Sequence, residues 1–285
     1  MDAIHSKDLK KIASFFCCDQ DLVHLKPIKK EDHSESSLIT VNKKKFFLKK
    51  FYKKEDPFKL DIKKETNLHR VLSPFSLTSK LIFYDFDHKI FICDWIEDQK
   101  YEVTEDCLTD HLVTSIIKKN NLALFDGLPR RKLTEITMYY YSLYSQLFIF
   151  SEISHIIKIF SELGILLDSS ATKFVISHGD LNFSNCLLND DELVFCDWEY
   201  ACIGSPFLDI ASVIVHEKLS QEDAYIFATS ILSGLEPKIN IDDLNLWVQF
   251  TLIMNGLWSI LYDKEVVMEK LVQDLEGRLR LYPAK

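Results

Sequence analysis

Nine residues, Ser177 to Asn185 (S-H-G-D-L-N-F-S-N), with Asp197-Trp198-Glu199 standing twelve residues beyond, constrain this chain more than any other stretch. Lys173 to Ser177 is a short apolar, β-branched run that predicts a buried strand ending at His178. After Asn185, Cys186-Leu187-Leu188 and Leu193 to Cys196 predict two more strands around the polar turn Asn189-Asp190-Asp191-Glu192. A hairpin of that length returns Asp197 to the neighbourhood of Asn185. Asp180 can then accept the proton of a hydroxyl, while Asn185 and Asp197 present a neutral and a charged hard oxygen of the kind Mg²⁺ prefers. Transfer of a phosphoryl group asks a protein for an oriented nucleophile, a metal clamp and a nearby cation. An isolated H-G-D would be no more than a turn with an aspartate cap. The hairpin-spaced Asn185 and Asp197 are what make it a candidate site.

At this point the chain resembles a known family. H-G-D-L-N-F-S-N followed by C-D-W-E-Y-A-C-I-G-S-P-F-L-D-I-A is similar to the aminoglycoside phosphotransferase and choline kinase superfamily, and D-W-E-Y-A with G-x-P-x-x-D-I-A resembles its choline, ethanolamine and thiamine kinase branch. The resemblance implies an α+β, protein-kinase-like fold of two lobes. A small antiparallel-sheet N-lobe would occupy residues 1–97, and a larger, mainly helical C-lobe 98–285. It also implies ATP and Mg²⁺ as cofactors, Asp180 as catalytic base, Asn185 and Asp197 as metal ligands, and His178 and Asp209 as supports of the catalytic loop. The alternatives are an aminoglycoside O-phosphotransferase and a kinase-like binding protein without catalysis.

Toward the N-terminus, Ser37–Val41 and Phe46–Tyr52 are strand-like around the turn 42–45, and a second pair, Leu81–Phe86 and Ile90–Trp95, follows. Leu60 to Leu72 carries a helical apolar pattern between the pairs. Phe46-Phe47-Leu48-Lys49 resembles the family's third strand, whose terminal cation meets the nucleotide phosphates, and Glu65 would pair with Lys49. Successive strand residues face opposite ways, so one of Lys49 and Lys50 must point inward if the strand packs. Cys93 to Glu97 would be the hinge, with Asp94 and Ile96 offering backbone groups to adenine. The family's nucleotide-covering loop is commonly rich in glycine, yet Lys29 to Ser37 (K-K-E-D-H-S-E-S-S) contains none.

Beyond the hinge, helical periodicity dominates, as in the stripe from Tyr139 to Phe148 and the runs Leu208–Leu219, Asp223–Leu232, Leu244–Tyr262 and Val266–Leu279. Glu199 would bring a carboxylate to the acceptor site. Trp247, Trp258 and Tyr262 could wall a cationic substrate with aromatic faces, the two tryptophans sharing one helix face at a spacing of eleven. The expected partner is therefore a small cationic alcohol, choline first, then thiamine or ethanolamine.

Charge adds to this picture. Residues 26–64 hold thirteen lysines against six acidic residues in a chain of net charge −9. Lysine blocks can bind nucleic acid, but these bracket an apolar strand and read as a solvated rim. No nucleic-acid partner is expected. The seven cysteines include no C-x-x-C pair and read as reduced thiols of a cytoplasmic protein. No apolar run of about 18 residues occurs, so no membrane span is expected.

Overall fold

A computed structural model of the chain describes residues 6–30, 34–52, 61–100, 104–124, 126–146, 150–236, 238–262, 275, 277 and 278. The chain divides into two compact units, Met1–His111 with Asn185–Tyr200, and Leu112–Ser184 with Ala201–Lys285. The sequence suggests a boundary after Glu97, but the first unit runs on to His111 and takes back the segment that contains Asp197.

In the first unit, strands β1 (Val23–Lys30), β2 (Ser34–Val41), β3 (Lys44–Phe51), β4 (Leu81–Asp85) and β5 (Ile90–Asp94) form an antiparallel sheet in the order β1-β2-β3-β5-β4. Asn42 and Lys43, both at positive φ, close the β2–β3 hairpin in two residues, the conformation that matches strand twist. Period-two alternation sorts β3 and β5 between two helices. Phe46, Leu48, Ile90 and Ile92 share a cluster with Ile12 and Ala13 of α1 (Ser6–Phe15). Phe51, Phe91 and Cys93 instead cluster with Ile62 of α2 (Ile62–Leu72). Helix α2 starts at Asp61, whose side chain accepts the Lys63 N–H.

The predicted hairpin is present as β7 (Cys186–Asn189) and β8 (Glu192–Phe195), closed by Asp190 and Asp191 at positive φ. Backbone bonds tie it into the first unit: Phe195 N–H donates to Leu77 O at 3.0 Å and Gln99 N–H to Leu188 O at 2.7 Å.

The second unit is mainly helical, as expected. It holds α4 (Leu133–Tyr144), α5 (Phe150–Ser170), α6 (Pro206–His216), α7 (Gln221–Ser233) and α8 (Leu244–Tyr262), with α3 (Glu105–Asn120) leading in from the first unit. A two-stranded pair, β6 (Val175–Ser177) and β9 (Cys202–Gly204), completes it. At its core Tyr140 meets Phe160 edge-on, and Phe160 stacks on Phe250. The stretch Ile241–Leu261 is long and apolar enough to cross a membrane by length and composition, with a mean hydropathy of 1.3. Half of it is buried in protein, where Phe250 stacks on Phe160, so it serves as a core helix. The expected helix at 266–279 falls largely outside the described residues.

Candidate active site

In the first unit the sheet and α2 converge on one ammonium group. Lys49 is 2% exposed, and its Nζ meets Asp197 Oδ1 at 2.6 Å, Glu199 Oε2 at 2.8 Å and Glu65 Oε1 at 3.3 Å. Asp197 follows β8 with φ of 64°, a left-handed conformation that is strained for a residue with a side chain and that clusters at functional sites. Cys196 N–H donates to Asn185 O at 2.9 Å, so the hairpin brings the two ends of the predicted metal pair together as anticipated. Lys64 Nζ donates to the Glu199 carbonyl and fixes that segment against α2.

Electrostatics here are unbalanced. Burial alone would lower the pKa of Lys49, but Asp197, Glu65 and Glu199 together hold it well above the usual lysine range. Glu65 is pushed up to about 7 by burial, against the pull of Lys49 and with the like charges of Asp197 and Glu199 adding to the rise. Its second oxygen, Oε2, is buried without a hydrogen-bond partner among the described residues. Three carboxylates around one ammonium leave surplus negative charge, and a divalent cation drawing on Asp197 would offset it. Among the described residues no group of three His, Cys, Asp or Glu side chains could hold a metal by itself. One carboxylate and one carboxamide fit Mg²⁺, which is usually completed by phosphate oxygens and water.

In the second unit, β6 delivers the loop that carries Asp180. Asp209, on the first turn of α6, accepts His178 N–H on Oδ2 and Gly179 N–H on Oδ1, both at 2.9 Å. Burial would raise the Asp209 pKa, but the charges of Lys119 and His178 and the hydrogen bonds from Lys119 and Gly179 together hold the carboxyl below its usual range. Gly179 sits at φ 87°, a conformation that side chains disfavour. At the far end of the loop Glu217 accepts Phe183 N–H at 2.7 Å, and Asn182 accepts Ser184 N–H at 2.9 Å. Asp180 remains partly exposed, with His216 Nε2 at 3.5 Å from its Oδ1. Pattern reading singled out neither Glu217 nor Lys119, since a glutamate or lysine at a helix end carries no local signature.

Other expectations need correction. Glu199, expected beside the acceptor, is 3% exposed and bonded to Lys49. Trp247 is 3% exposed and stacks on Phe207, whereas Trp258 is 47% exposed. The eleven-residue spacing does give both the same azimuth on α8, but Phe207 of α6 covers that azimuth only at Trp247. Trp247 therefore belongs to the core and cannot wall a substrate. The Tyr262 side chain lies outside the described residues. Asp94 N–H already donates to Lys80 O at 2.9 Å, so it is spent within the sheet, while Ile96 follows in open chain. In the glycine-free segment, Ser34 to Ser37 are part of β2, and residues 31–33 lie outside the described residues. All seven cysteines are free thiols, and burial pushes the Cys196 thiol up to about 12, far from reactive.

With this geometry in hand, similarity to known proteins is informative. A family model described as Choline/ethanolamine kinase matches residues 115–227. The protein LicA of Haemophilus influenzae is 49% identical over 47 residues, 16% of this chain and 18% of that protein. A LicA homolog of Metamycoplasma hominis is 25% identical over 178 residues, covering 54% of this chain and 64% of the relative. The matches thus span less than two thirds of the length of these curated relatives. Among solved structures, choline kinase LicA from Streptococcus pneumoniae superposes with a TM-score of 0.73 at 15% identity, over 94% of this chain and 97% of that one. An aminoglycoside-type kinase, APH(2")-IIa solved with streptomycin and ATP, gives 0.64 at 14% identity, over 97% of each chain. The chain is thus similar to choline/ethanolamine kinases over residues 115–227, the stretch that carries Asp180, Asn185 and Asp197. Its α+β fold is the fold of these kinase structures.

Proposed function

We propose that this protein is an ATP- and Mg²⁺-dependent kinase of the choline kinase and aminoglycoside phosphotransferase superfamily that phosphorylates the hydroxyl of a small cationic alcohol in the cytoplasm, with choline the first candidate and thiamine and ethanolamine next. The buried Lys49, held between Glu65 and Asp197, is the observation that carries the reading. A lysine so placed, buried on a sheet strand and beside a prospective metal ligand, suits the phosphates of a nucleotide far better than it suits stability. A buried ion pair gains little over apolar packing of the same volume. Asn185 and Asp197 would hold the ion, which would draw charge from the phosphate oxygens as the transfer proceeds. Asp180 would take the proton of the substrate hydroxyl as its oxygen bonds to the γ-phosphorus and the bond to the bridging oxygen of ADP breaks. Ile96 would offer backbone groups to adenine.

Choline is favoured over an aminoglycoside by the Choline/ethanolamine kinase match and by the LicA relatives. Exposed Trp258 supports a quaternary ammonium acceptor, since a cation over an indole face gains roughly 0.5–2 kcal/mol. Aminoglycoside phosphorylation is the second reading, favoured by the streptomycin-bound neighbour. The deciding experiment follows ADP release from ATP with choline, ethanolamine, thiamine and kanamycin, with Mg²⁺ and with chelator. Choline should give the highest kcat/KM, only with Mg²⁺, and Trp258→Ala should reduce choline use far more than ethanolamine use. Turnover of kanamycin alone would transfer the assignment to the second reading. No turnover of any acceptor would leave a nucleotide-binding protein without catalysis.

A further inference from the structure

Helix α3 ends in Lys118-Lys119-Asn120, a pair of lysines that sequence pattern alone would assign to solvent. Lys118 is exposed, but Lys119 is 0% exposed. An ammonium has three N–H donors and no acceptor, so a buried one must find three acceptors to avoid a large desolvation cost. Lys119 finds three: Ile176 O at 2.5 Å, Asn120 Oδ1 at 2.7 Å and Asp209 Oδ2 at 2.8 Å. No donor is left over.

Two of these acceptors bear on the segment that leads to Asp180, one within it and one against it. Ile176 O is a β6 carbonyl, two residues before His178. Asp209 in turn accepts the N–H groups of His178 and Gly179, one on each carboxylate oxygen. Ile176 directly, and His178 and Gly179 through Asp209, are thus held by one ammonium at the end of α3. Gly179 is in the left-handed region, where the chain turns toward Asp180. With Lys119 absent, the carboxylate could rotate off one of its two N–H partners, and the turn would have lost its fixed point. A fully buried ion pair is an expensive way to fill space, because apolar side chains of similar volume pack as stably. What the charges provide here is direction.

We propose that Lys119 is a positioning residue for phosphoryl transfer, acting through Asp209 and Ile176 to aim Asp180. The proposal deepens the kinase reading and rests on Asp180 being the base. Its signature is a split in the kinetics. The nucleotide-facing groups Lys49, Glu65 and Asp197 belong to the first unit, so losing the fixed point should lower kcat and leave the KM for ATP alone.

The test measures choline phosphorylation and thermal melting for Lys119→Met, for Lys119→Met combined with Asp209→Asn, and for Asp180→Asn. Lys119→Met should lower kcat about 10- to 100-fold with KM for ATP within about twofold, since misplacement of a reacting group by about 1 Å can cost 10²-fold. The double variant removes the buried uncompensated charge and should recover the melting temperature. It should not recover kcat, because a carboxamide has one acceptor oxygen for two N–H groups. A Lys119→Met kcat within twofold of the parent overturns the proposal. So does a double variant that regains both melting temperature and kcat, and so does failure of both variants to fold, since Lys119 then serves the fold alone. Asp180→Asn separates the two levels: full activity in that variant removes Asp180 as base and overturns the proposal while the kinase reading stands, whereas no choline phosphorylation by the parent chain removes that reading itself.

Discussion

Lys49 and Lys50 show at the scale of single residues what alternation can and cannot tell. Strand geometry demands opposite faces, and an inward Lys49 is legible from its place at the end of F-F-L-K. An outward Lys50 is the natural corollary, but the structure buries it too, with its Nζ on Asp8 of α1 at 2.7 Å. The error came from α1, whose S-K-D-L-K-K start reads as solvated chain and whose buried contribution is Asp8, Ile12 and Ala13. Lys49 yields a prediction of its own. Lys49→Met takes from Glu65, Asp197 and Glu199 the ammonium they share, and breaking a buried pair by removing one partner costs about 3–5 kcal/mol. Protons can relieve that cost, since a crowded buried carboxyl takes one up more readily, and Glu65 with the lysine in place already sits at about 7. The loss of stability measured by urea unfolding should therefore be larger at pH 8 than at pH 6. Equal losses at the two pH values would mean that the three carboxylates do not share a field.

Among elements, hairpins are legible in the sequence because their turns announce themselves: Asn42-Lys43 and Asp190-Asp191 are polar pairs at positive φ between apolar runs. Strand β1 is not legible there, for a physical reason. Only Val23 of V-H-L-K-P-I-K-K is buried, and Pro27 lies at a register shift on the sheet edge. An edge strand that packs so little leaves hardly any alternation to detect. Helix α2 gives the element-scale prediction through His69. Burial, outweighing the bond to the Ser79 carbonyl, lowers its pKa from 6.5 to about 4. Its Nδ1 lies 2.9 Å from Ser79 O, so the neutral ring carries its proton there. In the unfolded chain the ring binds a proton below pH 6.5, whereas in the fold it stays neutral until about 4. The unfolded state thus holds more protons in that window, and stability must fall as pH drops from 6.5 toward 4, by about 3 kcal/mol if the whole shift is realised. His69→Gln should flatten urea midpoints across that window relative to the parent chain. An unchanged slope would assign the acid sensitivity to other groups.

Taken as a whole, the chain has a first unit that is discontinuous, and no change of composition near Glu97 or His111 reveals it. What joins 185–200 to 1–111 is hydrogen bonding between distant segments, which leaves no trace in either segment alone. Leu188 N–H donates to Asp98 Oδ1 at 3.1 Å, Lys100 Nζ donates to Cys186 O at 3.0 Å, and the bonds from Phe195 and Gln99 add two more. Two of the three carboxylates on Lys49 arrive with the same segment. A fragment of residues 1–111 would therefore keep its sheet-forming sequence but lose these partners. Each buried polar group left unpaired costs about 1–3 kcal/mol. Small domains have only about 5–15 kcal/mol in hand. Residues 1–111 expressed alone should show no cooperative urea transition, while the same fragment joined through a flexible linker to 185–200 should regain one. Cooperative, native-like unfolding of 1–111 alone would mean that the hairpin docks on a finished unit, and the charge cluster around Lys49 would then be an addition to the fold and no part of its foundation.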